Sequence, residues 1–210
     1  PQKVGIYAGG TETRTQMLHN GLSTEWVAGD ELAVWARNSS GEFTLSNQIF
    51  KTYGLDGARG FFTSDLAEPM PEGTYTYYCT YPVPVSVNGT SVTFSLPAVQ
   101  DGKVTGGSDI MIADPVLHGA LTPVPEPEDH SGMRMSMNRM MHQFRFYIPE
   151  DNTAIGEEEL QKIMLTFPSD VAGKVTYDLA DMDAAPALSE STGSLELQLA
   201  EPLGISGATP

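Results

Sequence analysis

Apolar and polar residues alternate at a spacing of two along most of this sequence, and a chain written that way is suited to half-buried β-strands, whose successive side chains point to opposite faces. Tyr75, Tyr77, Cys79 and Tyr81 fall on one face of such a strand, with Thr74, Thr76 and Thr80 on the other. Val92, Phe94 and Leu96 alternate with Ser91, Thr93 and Ser95, and Phe144, Phe146 and Ile148 with Arg145 and Tyr147. Ile163, Leu165 and Phe167 alternate with Met164 and Thr166, Val175, Tyr177 and Leu179 with Thr176 and Asp178, and Leu195, Leu197 and Leu199 with Glu196 and Gln198. Val4–Ala8, Glu31–Ala36, Gln48–Tyr53 and Asp109–Ala113 are less regular strand candidates.

Turn chemistry separates these runs. Asn20-Gly21 and Asn88-Gly89 suit tight turns with positive φ, so Val85–Phe94 reads as a hairpin. Asp101-Gly102 and Gly106-Gly107 punctuate the next connection. A single short helix is expected at Gly156–Lys162, where Glu157, Glu158 and Glu159 suit the positive end of a helix dipole. Nothing reads as βαβ, so the class is all-β. Between Leu121 and Gly132, Pro123, Pro125 and Pro127 are interleaved with and followed by Glu126, Glu128 and Asp129. Such a stretch favours extended backbone and offers nothing to pack. The expected organisation is a domain over 1–120, a Pro/acidic linker over 121–132, and a second, short domain over 133–210. The rival is one domain with a long surface loop.

The 27 acidic residues outnumber the 11 basic ones, giving a net charge of −16. Nucleic acids and anionic membrane surfaces are repelled by such a field, so neither is an expected partner. No apolar run approaches the roughly 18–20 residues that span a bilayer. The chain begins at Pro1 without a leader segment, as a mature or trimmed form would. Its one cysteine, Cys79, rules out an internal disulfide.

Candidate chemistry is sparse. Cys79 sits on an aromatic strand face, where a thiol packs as a small hydrophobe rather than acting as a nucleophile. His19, His118, His130 and His142 form no close pair, and His142 shares a face with Phe144 and Phe146, as a core or boundary histidine would. Met133, Met135, Met137, Met140 and Met141 are soft enough for Cu(I), but the first three keep strand period and suit one apolar face. Asp178, Asp181 and Asp183 begin like a calcium loop, yet the required Gly and closing Glu are out of register, leaving an acidic surface loop. No metal, cofactor or catalytic residue is expected. Tyr75, Tyr77, Tyr78 and Tyr81, with Trp26 and Trp35, raise the idea of an aromatic platform for sugars. Tyr78, on the Thr face, is the one expected to be exposed.

In order along the chain come Thr13-Arg14, Trp26, Gly29-Asp30, the segment from Gly73 to Pro82, Ser108-Asp109 leading to Ala113, and Met140-Met141-His142 leading to Phe146. This series resembles the fimbrillin family of bacterial pilus subunits. The resemblance implies two β-sandwich domains of transthyretin-like topology and a lipoprotein on the outer membrane or fimbrium, its lipid anchor outside this chain. It further implies assembly in which proteolysis after a basic residue removes an N-terminal strand and a neighbouring subunit's strand fills the groove. Arg14, after the first strand candidate, is the candidate processing point; Arg37 is a poorer one. Leu203–Pro210 is Gly-rich and weakly apolar, so a terminal donor strand is not evident. The expected function is a structural or adhesive pilus subunit whose partners are other subunits. The alternative is a surface lipoprotein that binds a glycan or host protein, for which Tyr78 is the candidate contact.

Overall fold

A computed structural model of the chain describes residues 1–9, 16–17, 24–56, 59–101, 108–124, 132–142, 144, 146 and 158–204. Seventeen strands occur among them and no helix. They are β1 (Gln2–Gly9), β2 (Gln16–Met17), β3 (Thr24–Glu25), β4 (Glu31–Asn38), β5 (Phe43–Asp56), β6 (Arg59–Leu66), β7 (Thr74–Tyr81), β8 (Ser86–Asn88) and β9 (Ser91–Leu96). They continue with β10 (Val99–Gln100), β11 (Met111–Ala113), β12 (Val116–Gly119), β13 (Met133–Arg139), β14 (Glu159–Thr166), β15 (Ala172–Asp178), β16 (Ala187–Thr192) and β17 (Ser194–Gly204). The all-β class is as the alternation requires.

The largest sheet runs β11-β13-β1-β6-β5-β4-β7-β12, and β11 also pairs with β7. That last pairing closes the sheet on itself. β7 makes it possible by sharing its free edge: Tyr81 and Thr80 pair with Met111 and Ile112, while Tyr77 to Thr74 pair with Val116 to Gly119. Closure satisfies backbone groups that an open edge would leave to water or to another chain. Side chains of alternate residues fill the interior: Val4, Ile6 and Ala8 from β1, Leu32, Val34 and Ala36 from β4, and Met133, Met135 and Met137 from β13. Tyr75, Tyr77, Cys79 and Tyr81 join them from β7. Each buried phenol keeps a partner, Tyr75 and Tyr77 donating to the carbonyls of Pro71 and Gly119 at 2.8 Å and Tyr81 to Asp30 Oδ1 at 3.1 Å.

A second layer covers one flank of the barrel. The hairpin β8–β9 forms as the Asn88-Gly89 signal demands, with Gly89 at φ 62°. It extends into a four-stranded sheet, β16-β15-β9-β8. Val92, Phe94, Val175, Tyr177 and Leu179 of this layer pack on Ala33, Trp35, Tyr78 and Ile112 of the barrel. A three-stranded sheet, β10-β17-β14, completes the main sheets, and β2 and β3 pair with each other.

Three expectations are overturned here. The boundary at 121–132 does not separate two domains: β13 lies beside β1 in the barrel and β15 beside β9 in the second layer. Even within that stretch Pro123 bridges to Val4, and the Val124 N–H donates to the Lys3 carbonyl at 3.1 Å. Local composition marks an extended linker, but pairing across it builds shared sheets. The expected helix over Gly156–Lys162 gives way to β14 in its described part, because Glu159 and Leu160 pair with Gly204 and Leu203. The three glutamates favour a helix start only weakly, and cross-strand partners outweigh that. The run around Phe144 and Phe146 is not a strand at either residue, and both rings are exposed, with Phe144 against Phe167 at 5.8 Å.

Candidate functional site

Chemistry in a protein of this kind would rest on its titratable groups. Cys79 is fully buried inside the barrel and burial pushes its thiol up, so the nucleophilic thiolate is suppressed. A thiol-specific reagent at pH 8 is therefore expected to leave the native protein unlabelled and to label one thiol per chain after denaturation in urea; rapid native labelling would show an open barrel. His118 and His142 are both exposed, which corrects the expected core or boundary position of His142. Phe144 and Phe146, the described residues that follow it, are exposed as well. His19 and His130 lie outside the described residues, as do Asn20-Gly21 and Gly106-Gly107.

The methionines divide as their period predicts. Met133, Met135 and Met137 fill the barrel, while Met140 and Met141 are half-buried against the second layer. Among the described residues no group of three or more His, Cys, Asp or Glu side chains comes together. Asp178, Asp181 and Asp183 line an exposed turn. The Asp178 carboxyl is held below its ordinary range by hydrogen bonds from the Thr90 side chain and the Ala180 N–H.

Tyr78 is not the exposed aromatic that its place among threonines suggested. It is 7% exposed, packed with Trp35, Val92 and Phe94. The physical reason is the second layer: β4 and β7 are covered on both faces, so alternation on β7 separates two cores rather than core from solvent. Thr80, on that same face, is also fully buried. Trp26, Trp35, Tyr75, Tyr77 and Tyr81 are buried as well, so none of these aromatics forms a platform.

The feature with functional potential is β1 itself. This strand is the chain's first, yet it sits inside the barrel wall, antiparallel to β6 along its whole length and parallel to β13 from Ile6 to Gly9. Its Val4, Ile6 and Ala8 are completely buried. Removing it would leave a slot between β6 and β13 with open backbone donors and acceptors on both sides and three vacated apolar positions. A slot of that kind would be complementary to an extended strand of matching alternation. Arg14 follows β1 in sequence but lies outside the described residues.

No protein-family model matches the sequence, and a search of curated proteins gives no significant match. Among solved structures, the chain is similar to one from Bacteroides uniformis described as a "putative cell adhesion protein", at 15% identity and a TM-score of 0.55. The likeness covers 93% of this chain and 70% of that one. At so low an identity, what the two share is the all-β, sandwich-like fold.

Proposed function

We propose that this protein is a structural or adhesive subunit of the bacterial surface, of fimbrillin type, that joins a pilus when its first strand is cut away and replaced by a strand from a neighbouring subunit. The observation that carries the reading is the placement of β1: a strand built into a closed wall, with its apolar side chains fully buried and a slot-forming partner on each side. A strand so placed is held by the same contacts that a neighbour's strand would reproduce, and it can leave only if its covalent link is cut. Arg14 is the proposed cut. The fold shared with a structure described as a cell adhesion protein supports a surface role, and a pilus on the outer membrane is the setting in which strand exchange would operate. The role is non-catalytic, in keeping with a cysteine that is enclosed and protonated.

Brief treatment with an Arg-specific protease, followed by size-exclusion chromatography, tests the reading. The wild-type chain is expected to lose its N-terminal segment and form a ladder of oligomers, while Arg14→Ala stays intact and monomeric. A chain cut at Arg14 that remains monomeric at high concentration would count decisively against exchange between copies of this protein.

A further inference from the structure

The outer face of the barrel over β13, β1, β6 and β5 carries side chains that neither the core nor strand exchange uses. Among the described residues, most cations are engaged: Lys51, Arg139, Lys162 and Lys174 pair with Glu31, Asp109, Glu196 and Glu190, and Arg37 donates to the Gly41 carbonyl. Within the described residues Lys3, Arg59 and Arg134 form no ion pair. All three lie on this one face. Register fixes their arrangement: Arg134 is opposite Tyr7, Tyr7 is opposite Phe61, and Arg59 is opposite Gly9.

The same face is aromatic. Tyr7 and Phe61 lie 4.7 Å apart with planes inclined by 35°, and Tyr53 stands edge-on to Phe61 at 6.1 Å. Glycine makes this possible. A Cβ on Gly5 would fall 2.3 Å from the Phe61 ring, so that ring lies across the backbone in the space a side chain would take. Tyr7 leans over Gly132 in the same way, at 3.3 Å from the position of a Cβ. Tyr53 is 52% exposed, with the Lys3 ammonium 5.5 Å from its ring centre. The result is a shallow aromatic shelf bordered by two guanidinium groups and an ammonium.

We propose that this shelf binds an acidic saccharide, a sugar chain bearing carboxylate or sulfate groups. The apolar face of a pyranose ring stacks on exposed tyrosine, and the anionic groups take the forked donors of Arg134 and Arg59 and the charge of Lys3. Neighbouring strands stand about 5 Å apart, so the two arginines, on β13 and β6, straddle β1 with their backbones about 10 Å apart, roughly the length of two sugar rings. Asp65 stands opposite Lys3 and Asp56 opposite Arg59, so Arg134, opposite Tyr7, is the one of the three cations whose register partner is not an acid; acids farther than about 8 Å are largely screened at physiological ionic strength. The inference stands apart from strand exchange, since it concerns the chain with β1 in place; Lys3 and Tyr7 would leave with that strand.

Titration calorimetry of the intact chain with chondroitin sulfate and oligogalacturonate, against neutral dextran and polyglutamate, tests it. Both anionic saccharides are expected to bind and both controls to fail. Arg134→Ala is expected to weaken binding about tenfold or more, and Tyr53→Ala about fivefold, each with an unchanged melting temperature. Lys174→Ala, on the second layer, is expected to bind as wild type. Equal affinity for polyglutamate would replace the saccharide with an acidic polypeptide and overturn the proposal. So would absence of binding, or wild-type affinity in folded Arg134→Ala.

Discussion

A chain lacking residues 1–15 is expected to lose cooperative unfolding, and a synthetic peptide of residues 1–9 is expected to restore it. The magnitudes follow from what β1 buries. Val4 and Ile6 are fully enclosed, each contributing about 1.5–3 kcal/mol, with Ala8 adding less. The slot also exposes unpaired backbone groups along β6 and β13. A total of about 5 kcal/mol or more is comparable with the whole stability of an ordinary domain, roughly 5–15 kcal/mol. The shortened chain should therefore show a broad, low melting transition and bind a hydrophobic dye. Added peptide should raise the transition with its concentration, as any ligand selective for the folded state does. A peptide carrying Ile6→Asp should have no effect, since it brings a charge into an apolar interior. If the shortened chain melts like the intact one, or the peptide leaves its melting unchanged, the slot is not a strand acceptor.

The second large effect concerns the ion pair beside the barrel's closure. Asp109 precedes β11 and is 2% exposed; Arg139 ends β13 and grips it with two prongs, Nε to Oδ1 at 2.6 Å and Nη2 to Oδ2 at 2.8 Å. Arg139→Ala removes the guanidinium and strands a buried carboxylate, which should cost about 3–5 kcal/mol in urea-induced unfolding at pH 7. Arg139→Lys should recover only part of that, because an ammonium keeps the charge but not the planar fork. Asp109→Leu combined with Arg139→Met should lie much closer to wild type, as replacing both partners leaves no orphaned charge. A loss below about 1 kcal/mol for Arg139→Ala would show that water reaches the carboxylate.

How legible all this was in the sequence depends on the range of the interaction concerned. Met133, Met135 and Met137 announced their common face by spacing alone, and so did Tyr75, Tyr77, Cys79 and Tyr81. The Asn88-Gly89 turn is a contact between near neighbours and was equally readable. Tyr78 was misread because period-two alternation reports that a strand has two faces, not what covers each. Only the second layer, contributed by β8, β9, β15 and β16, decides that both faces of β7 are interior. The division at 121–132 failed for a related reason. Prolines and acids describe how a segment behaves by itself, whereas the pairing of Ile6 with Met133 depends on residues far away. The aromatic shelf left one local trace, the glycines at 5 and 9 around Tyr7. Its meaning depends on Phe61 arriving from β6 to fill the space over Gly5.

That parallel pairing also sets the order in which the barrel can be completed. β1 meets β6 early, but its other edge has to wait for β13, and the partners Ile6 and Met133 are 127 positions apart (133 − 6). At a synthesis rate of roughly 5–20 residues per second, that edge stays unsatisfied for several seconds or more in a chain emerging from the ribosome. Contacts so distant in sequence close slowly in any case, after a large loss of chain entropy. A nascent or newly unfolded molecule thus passes through a stage in which its first strand is docked on one side only. At that stage, competition from another extended segment costs least.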